Sequence, residues 1–426
     1  MLAVIERLMG MMSGRQHDRF KMSPEFRENI HALLGDGDES APLPHSSSIE
    51  YTFRSLSVDC IRTGIEKMVR RLLRGKRLEC MRTAIPQHGK QYYRVAIDAV
   101  HFNTSTRPIG HAVHKKRADG TVEYLQTCLV ASLVAPGMRI PFMFEFIENE
   151  GEDGRRDVTT EKQDGEHDKQ DCELKAAKRL IPRLAELFGN YRLFLLLDGL
   201  YLCDDILAAC SRNNWEVSMT VTDKTSAFLA KAREAMEKNR HARWTDTDPV
   251  NKCPRNVSWC RLKYRFGEHD YRLSVIEYRW TDKDGKENVG VYATGIFLHD
   301  YQKEVTIYVL DNICRIRWQI EELFKVQKHH GLSLEANFGT RGNTGLNFFL
   351  VVQMAAVIRT VITHSSLFRR LQQMQNPNKI RVVIQRPMME WYKTLENLAS
   401  RIQSAMLRLK MNRIDMTGWR ISFNTA

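Results

Sequence analysis

Three carboxylates stand where they could do chemistry together. Asp98 comes near the end of YYRVAIDAVHF, a run rich in β-branched and aromatic residues. Asp198 closes the apolar core of YRLFLLLDGLY, and Glu321 lies in DNICRIRWQIEELFKVQKHH between Arg317 and Lys328. Singly, each is ordinary: an aspartate at a strand end serves as a cap or turn residue, and Arg317 with Glu321 at i,i+4 spacing makes a solvated ion pair. The combination is less ordinary, because functional groups gather beyond strand ends in open sheets. Three carboxylates brought together repel one another and ionise fully only beside bound cations. Oxygen ligands of this kind suit Mg²⁺ or Mn²⁺. Two such ions can activate a water or hydroxyl and stabilise the leaving oxygen of a phosphodiester.

The elements that must position these groups follow from punctuation and periodicity. The stretch Asp311–His330 has no Pro or Gly, carries Asp311 or Asn312 as a possible cap, and is followed by Gly331, which predicts one helix. At roughly 100° per residue, Arg317, Glu321 and Lys328 fall within about 40° of one another, flanked by Cys314 and Lys325. Ile313, Ile316, Ile320, Leu323 and Phe324 cover much of the other side. Glu322 lies about 100° round from Glu321 and is expected behind it or in solvent.

Residues 1–30 carry a short helical pattern, loosely held at the terminus. Residues 34–50 (LGDGDESAPLPHSSSIE) read as a linker, and 57–83 as a basic helix capped by Ser57, with an apolar stripe of Ile61, Ile65, Met68 and Leu72/Leu73. From Tyr92 three strands joined by short turns suggest a meander, with Ile140–Ile147 a further extended piece. Residues 148–171 are almost wholly polar and read as a loop. CELKAAKRLIPRLAELFG is a helix, YRLFLLLDGLY a strand buried on both faces, Asp204–Asn213 a helix and Trp215–Val221 a strand. The order is that of an α/β fold with a mixed sheet. Residues 224–245 read as a charged helical stretch. Residues 255–298 alternate as strands and read as a β-rich inserted module. Residues 345–412 are helical again, with an ambiguous apolar piece around Ile380.

Composition narrows the partners. Over 426 residues, 64 Lys and Arg oppose 51 Asp and Glu, a net charge of +13, which favours a polyanion and nucleic acid before membrane. The nine cysteines form no CxxC pair, and the spacings Cys203–Cys210 and Cys253–Cys260 match no common zinc knuckle, so a reducing cytoplasm is expected. Glu6 and Arg7 interrupt the N-terminal apolar run, which makes it a poor signal peptide. Leu346–Ile362 contains Asn347, Gln353, Arg359 and Thr360 and reads as a buried helix rather than a membrane span. His101 is expected to be structural, and His167-Asp168 and His329-His330 to be solvated.

These residues resemble a known group. CRIRWQIEELFKVQK is similar to the Tyr-Arg-Glu-Lys signature of DDE transposases of the bacterial insertion-sequence-four family: Tyr, two residues, Arg, three residues, Glu, six residues, Lys. Arg317, Glu321 and Lys328 fit that spacing, and LLLDGLY and KQDCELKAAKRL also resemble members of the group. The likeness spans about residues 90–365. It departs from the signature at its first position, where Cys314 stands for Tyr and cannot donate a hydrogen bond as a phenol does.

The resemblance implies a ribonuclease H-like core with Asp98, Asp198 and Glu321 as catalytic metal ligands for two Mg²⁺ or Mn²⁺ ions. It implies a helical, basic N-terminal region (1–90), the core (91–223 and 306–365) interrupted by the β-rich module (224–305), and a helical C-terminal region (366–426). It further implies cut-and-paste DNA transposition by a homodimer on terminal inverted repeats and target DNA, in a bacterial cytoplasm at the nucleoid, with no membrane partner. Arg317, Lys328, Lys325 and the Cys314 position would face DNA. Where relatives form a hairpin, an aromatic residue of the β module stacks on a flipped base. Trp280 and Trp259 are the candidates by location, although either taken singly fits a buried core residue. Two alternatives stand beside this expectation: a degraded or repurposed DNA-binding protein, and a metal-dependent nuclease without strand transfer.

Overall fold

The structure is a computed structural model and describes residues 1–11, 13–34, 41–86, 89–149, 171–222, 226–336, 339–365 and 388–408. Its strands are β1 (Arg82–Ala84), β2 (Gln91–Ser105), β3 (Val113–Lys116), β4 (Val122–Ala135), β5 (Met138–Ile147), β6 (Leu193–Leu197), β7 (Glu216–Thr220), β8 (Arg243–Thr247), β9 (Pro254–Phe266), β10 (His269–Thr281) and β11 (Glu287–Thr294). All belong to one mixed sheet, so the chain is α/β as its element order implies. The path across the sheet is β3-β4-β2-β6-β7-β11-β10-β9-β8, with β5 also on β4 and β1 also on β2.

Two buried strands make the centre. β4 is buried from Gln126 to its end, and all five residues of β6 are buried, as strands covered on both faces must be. The β4–β5 hairpin turns on Pro136-Gly137, where Gly137 takes φ 73°, a conformation that glycine adopts without the strain a Cβ brings. β2 and β5 each run antiparallel to β4, whereas β6 runs parallel to both β2 and β7. Helices Val58–Arg74, Glu173–Phe188 and Thr344–Thr363 all pack on β5. Thr344–Thr363 is the one helix among the described residues long and apolar enough to cross a membrane, and most of it is buried inside the fold.

Several expectations give way to a different structure. The presumed linker runs into the helix Ser46–Ser55, with the His45 ring accepting a hydrogen bond from the Ser47 N–H. The basic helix stops at Arg74 and Ser57 makes no side-chain cap. Beyond it the chain turns into the strand β1. The N-terminal helices are held: Phe26 and Ile30 are buried, and the Asn29 amide donates to the Met406 carbonyl at 2.9 Å. Part of the stretch read as charged helix is strand β8. The strands of the β-rich stretch join the core sheet. β11 pairs with β7 through Tyr292 and Thr220, so these strands extend it. The 150–170 part of the polar loop, with His167 and Asp168, and the piece around Ile380 lie outside the described residues.

The largest departure is in the stretch expected as one helix over 311–330. A helix begins earlier, at Lys303, and runs to Val309. It passes through a π turn at Leu310–Cys314 and a 3₁₀ turn at Arg315–Trp318 before resuming as an α-helix over Gln319–His329. Asp311 caps nothing. Its carboxylate accepts hydrogen bonds from the buried Arg255 guanidinium at 2.6 and 2.7 Å.

Candidate active site

The sheet places the two aspartates by register. β2 and β6 pair in parallel at Val95–Leu195 and Ala96–Leu196. Asp98 and Asp198 each follow two residues after the last pair of that register, Asp198 at the start of the turn that ends β6. Asp98 does not end its strand, which continues to Ser105 on its β4 side. It stands just past the point where pairing with β6 stops. The sequence reading placed Asp98 at its strand's end, and it misjudged the length of β2.

Each carboxylate has its own surroundings. One Asp98 oxygen accepts from the Ala99 N–H at 3.0 Å, and the other lies 3.6 Å from a guanidinium nitrogen of Arg317. The second terminal nitrogen of Arg317 donates to Glu321 Oε1 in a close ion pair, so a single guanidinium joins the two acids. Burial pushes the Asp98 carboxyl up to about 6, opposed by Arg317 and the Ala99 N–H and reinforced by the negative charges of Glu321 and Glu173. Asp198 caps the 3₁₀ turn Gly199–Tyr201. It accepts from the Gly199 N–H at 2.6 Å and from the hydroxyl of Thr220, the last residue of β7. Gly199 is required there, since a Cβ would sit 2.8 Å from the Thr220 carbonyl oxygen.

Two further side chains join the cluster that sequence reasoning did not single out. The Tyr201 hydroxyl donates to Glu173 Oε2 at 3.4 Å. Tyr201 is buried, and its phenol is raised well above the usual range by burial and then by the charges of Glu173, Asp98 and Asp198. Glu173 therefore lies beside the aspartates, brought there by the start of the helix Glu173–Phe188. Tyr201 was within the LLLDGLY motif, three residues after Asp198. Nothing in the sequence links Glu173 to Asp98.

The remaining candidates divide. The Lys325 side chain is exposed, and Lys328 pairs with Glu335 at 3.0 Å. Lys328 also lies close enough to His101 to help hold that ring below its usual range, after desolvation and together with Lys115. His101 bonds the Thr127 hydroxyl at 2.7 Å, a structural contact. Glu322 is buried, as its place behind Glu321 implies. Cys314 is not on the polar face. It is 1% exposed within the core, and burial pushes its thiol up to about 12. The π turn has rotated it away from the stripe that even helical spacing predicts. Trp259 is fully buried, with its indole N–H donating to the His299 carbonyl at 3.2 Å. Trp280 is half-buried and stacks on Tyr278 at 4.9 Å and 8°.

Two ion pairs tie the β-rich strands to the irregular helix. Arg255 of β9 grips Asp311, and Asp248, just after β8, accepts from Arg315 at 2.8 Å. The Arg315 guanidinium also lies over the Tyr278 ring, 5.3 Å from its centre. The turns that present Arg317 and Glu321 are thereby clamped from the module side.

The donors at the site are hard carboxylate oxygens, a set that fits Mg²⁺ or Mn²⁺ rather than zinc. Among the described residues no three His, Cys, Asp or Glu side chains converge on one point as a ready-made metal site. Between Asp98 and Glu321 stands Arg317, and the Asp198 carboxylate is engaged by Gly199 and Thr220. No protein-family model matches the chain, and no curated protein is significantly similar to it in sequence.

Proposed function

We propose that the protein is a metal-dependent DNA transposase with a ribonuclease H-like core and Asp98, Asp198 and Glu321 as its acidic triad. The observation that supports this reading best is that one Arg317 guanidinium contacts both Asp98 and Glu321, while β2 and β6 pair in parallel up to two residues before Asp98 and Asp198. The partial strand order β5-β4-β2-β6-β7, three antiparallel strands followed by two parallel ones, agrees with a ribonuclease H-like core. The net charge of +13 suits a DNA partner.

Under this reading the three carboxylates would hold Mg²⁺ or Mn²⁺, as two ions. When bound, the metal supplies an acidified water and charge neutralisation at the reacting phosphate. The chain's own residues do the placing. Thr220 and the Gly199 N–H fix the rotamer of Asp198. Tyr201 holds Glu173 beside the aspartates. Arg317, Lys325 and Lys328 offer cations for the phosphates of a DNA end, Arg317 as a planar fork and the lysines as point charges. No covalent protein intermediate is needed, since phosphoryl transfer depends on position and charge. The partners are terminal inverted repeats and target DNA, bound by a homodimer at the bacterial nucleoid.

The test uses the full chain and a plasmid carrying the sequences that flank its gene. Wild type with Mg²⁺ should release the flanked segment and join it elsewhere. Asp98→Ala, Asp198→Ala and Glu321→Ala should each lose cleavage by at least about 100-fold while still retarding the DNA on a gel, consistent with the loss of a transition-state charge stabiliser. Undiminished cutting by all three would sink the triad. Cut ends with no hairpin or joined product would favour a nuclease without strand transfer.

A further inference from the structure

We propose that Arg317 is the site's own counter-ion, which must leave the carboxylates before a divalent cation can take them, so that capture of a DNA phosphate by Arg317 switches on metal binding. The inference rests on the functional reading above and adds a regulatory step to it. One guanidinium nitrogen lies 3.6 Å from Asp98 Oδ2, and another is in contact with Glu321 Oε1. The planar fork therefore fills the space between the two acids. A Mg²⁺ or Mn²⁺ ion held by these carboxylates would need their oxygens free and would keep several waters in its shell. That shell and the guanidinium cannot occupy the same space, and two cations there would repel.

The placement of Arg317 allows it to move. It comes from the 3₁₀ turn Arg315–Trp318, ahead of the α-helix that carries Glu321, and its side chain is 14% exposed. Trp318 beside it is 58% exposed, so the turn lies open to solvent. A phosphate offers the same bidentate geometry as a carboxylate. A DNA backbone arriving at this face can thus take the guanidinium while a cation replaces it between the acids. Thermodynamic linkage makes the effect mutual: whatever factor the duplex adds to cation affinity, the cation adds to duplex affinity. Free protein would then hold its site closed to metal and be unable to hydrolyse DNA it had not properly engaged.

The experiment measures Mn²⁺ binding by the loss of the free-ion EPR signal, for the full chain alone and with a duplex that already ends at the element's terminus. Arg317→Ala and Arg317→Gln should bind Mn²⁺ in the absence of DNA about tenfold more tightly than wild type. The duplex should tighten Mn²⁺ binding to wild type by a similar factor and to the variants by much less, within the usual range of coupling between sites. Asp98→Asn should abolish this binding in every background. Far-UV circular dichroism must match wild type, and having two Arg317 variants guards against one that misfolds. Equal or weaker Mn²⁺ binding by both variants, or Mn²⁺ binding that ignores Asp98→Asn, overturns the proposal. The functional reading fails separately, by cleavage that survives Asp98→Ala.

Discussion

Arg255 is the most exacting test of how the site is built. Its side chain has no exposure and donates to both oxygens of Asp246, at 2.6 and 3.0 Å, and both of Asp311, at 2.6 and 2.7 Å. Arg255→Ala removes one buried cation and strands two carboxylates. Breaking a buried pair from one side costs about 3–5 kcal/mol, much of it the uncompensated charge left behind. Two facts place this case at the low end. Asp246 and Asp311 retain 23% and 16% side-chain exposure, and Asp311 keeps Arg315 at 3.3 Å. The expectation is a loss of about 3 kcal/mol, a factor on the order of 100 in the folding equilibrium. Urea unfolding followed by tryptophan fluorescence reads it. Arg255→Lys should recover less than half, because one ammonium cannot reproduce two bidentate forks. An Arg255→Ala protein within about 1 kcal/mol of wild type would refute the reasoning, since a surface ion pair is worth no more than that.

Other perturbations separate the roles of neighbouring residues. Cys314→Tyr supplies the residue found in the signature that the stretch resembles, yet the site is packed and 1% exposed, so the variant should lose about 1–3 kcal/mol by overpacking and, under the proposed function, gain no cleavage; a large rise in cleavage would show that the phenol reaches DNA. Trp259→Ala should cost about 3–5 kcal/mol as a cavity in the core, whereas Trp280→Ala, stacked and half-buried, should cost about 1 kcal/mol; equal losses on urea unfolding would contradict that contrast. Asp248 is fully buried and its carboxyl is held below the usual range, with desolvation overcome by Arg315 and by the Val250 and Asn251 N–H groups. Its contribution is complete above the unfolded value of about 3.9 and is lost as pH falls through the lower folded value, so Asp248→Asn should flatten stability against pH below about 4, and an unchanged slope would remove the assignment. Deleting Asn312 would convert the π turn to regular helix and rotate the following residues by roughly 100°; cleavage should vanish with helical content retained, and normal cleavage would mean the extra residue does not aim Glu321.

What the sequence made legible follows from where its information is local. The run LFLLL is apolar without interruption, so burial on both faces and strand identity come together, and the structure has both. The Arg317–Glu321 contact was readable because i,i+4 neighbours meet even though a 3₁₀ turn lies between them. Strand β8 was not readable. RWTDT is a largely exposed edge strand with no apolar alternation to signal it. The position of Cys314 was misread because face assignment assumed 3.6 residues per turn through Leu310–Cys314, and the π turn there depends on partners far away in sequence, Arg255 and Asp248. Glu173 was missed for a related reason. Its place beside Asp98 is set by how the helix Glu173–Phe188 docks on β5, a long-range contact that no spacing encodes.

The irregular helix therefore reflects competition between two sets of demands. On one side, Asp98 and its register with β6 fix where Arg317 and Glu321 must point. On the other, Arg255 and Asp248 pull Asp311 and Arg315 toward the β-rich strands, with Tyr278 beneath the Arg315 guanidinium. Both pulls act on a stretch of seven consecutive residues, from Asp311 to Arg317, and a regular helix cannot satisfy both. The extra residue of the π turn and the tightened 3₁₀ turn after it absorb the mismatch. Because β7 to β11 continue the same sheet, these pulls come from one connected scaffold rather than from two loosely joined parts. A displacement of β8 or β9 would reach Asp311 and Arg315 directly and Arg317 two residues later. That route gives the β-rich strands a means of setting the geometry of Asp98, Arg317 and Glu321.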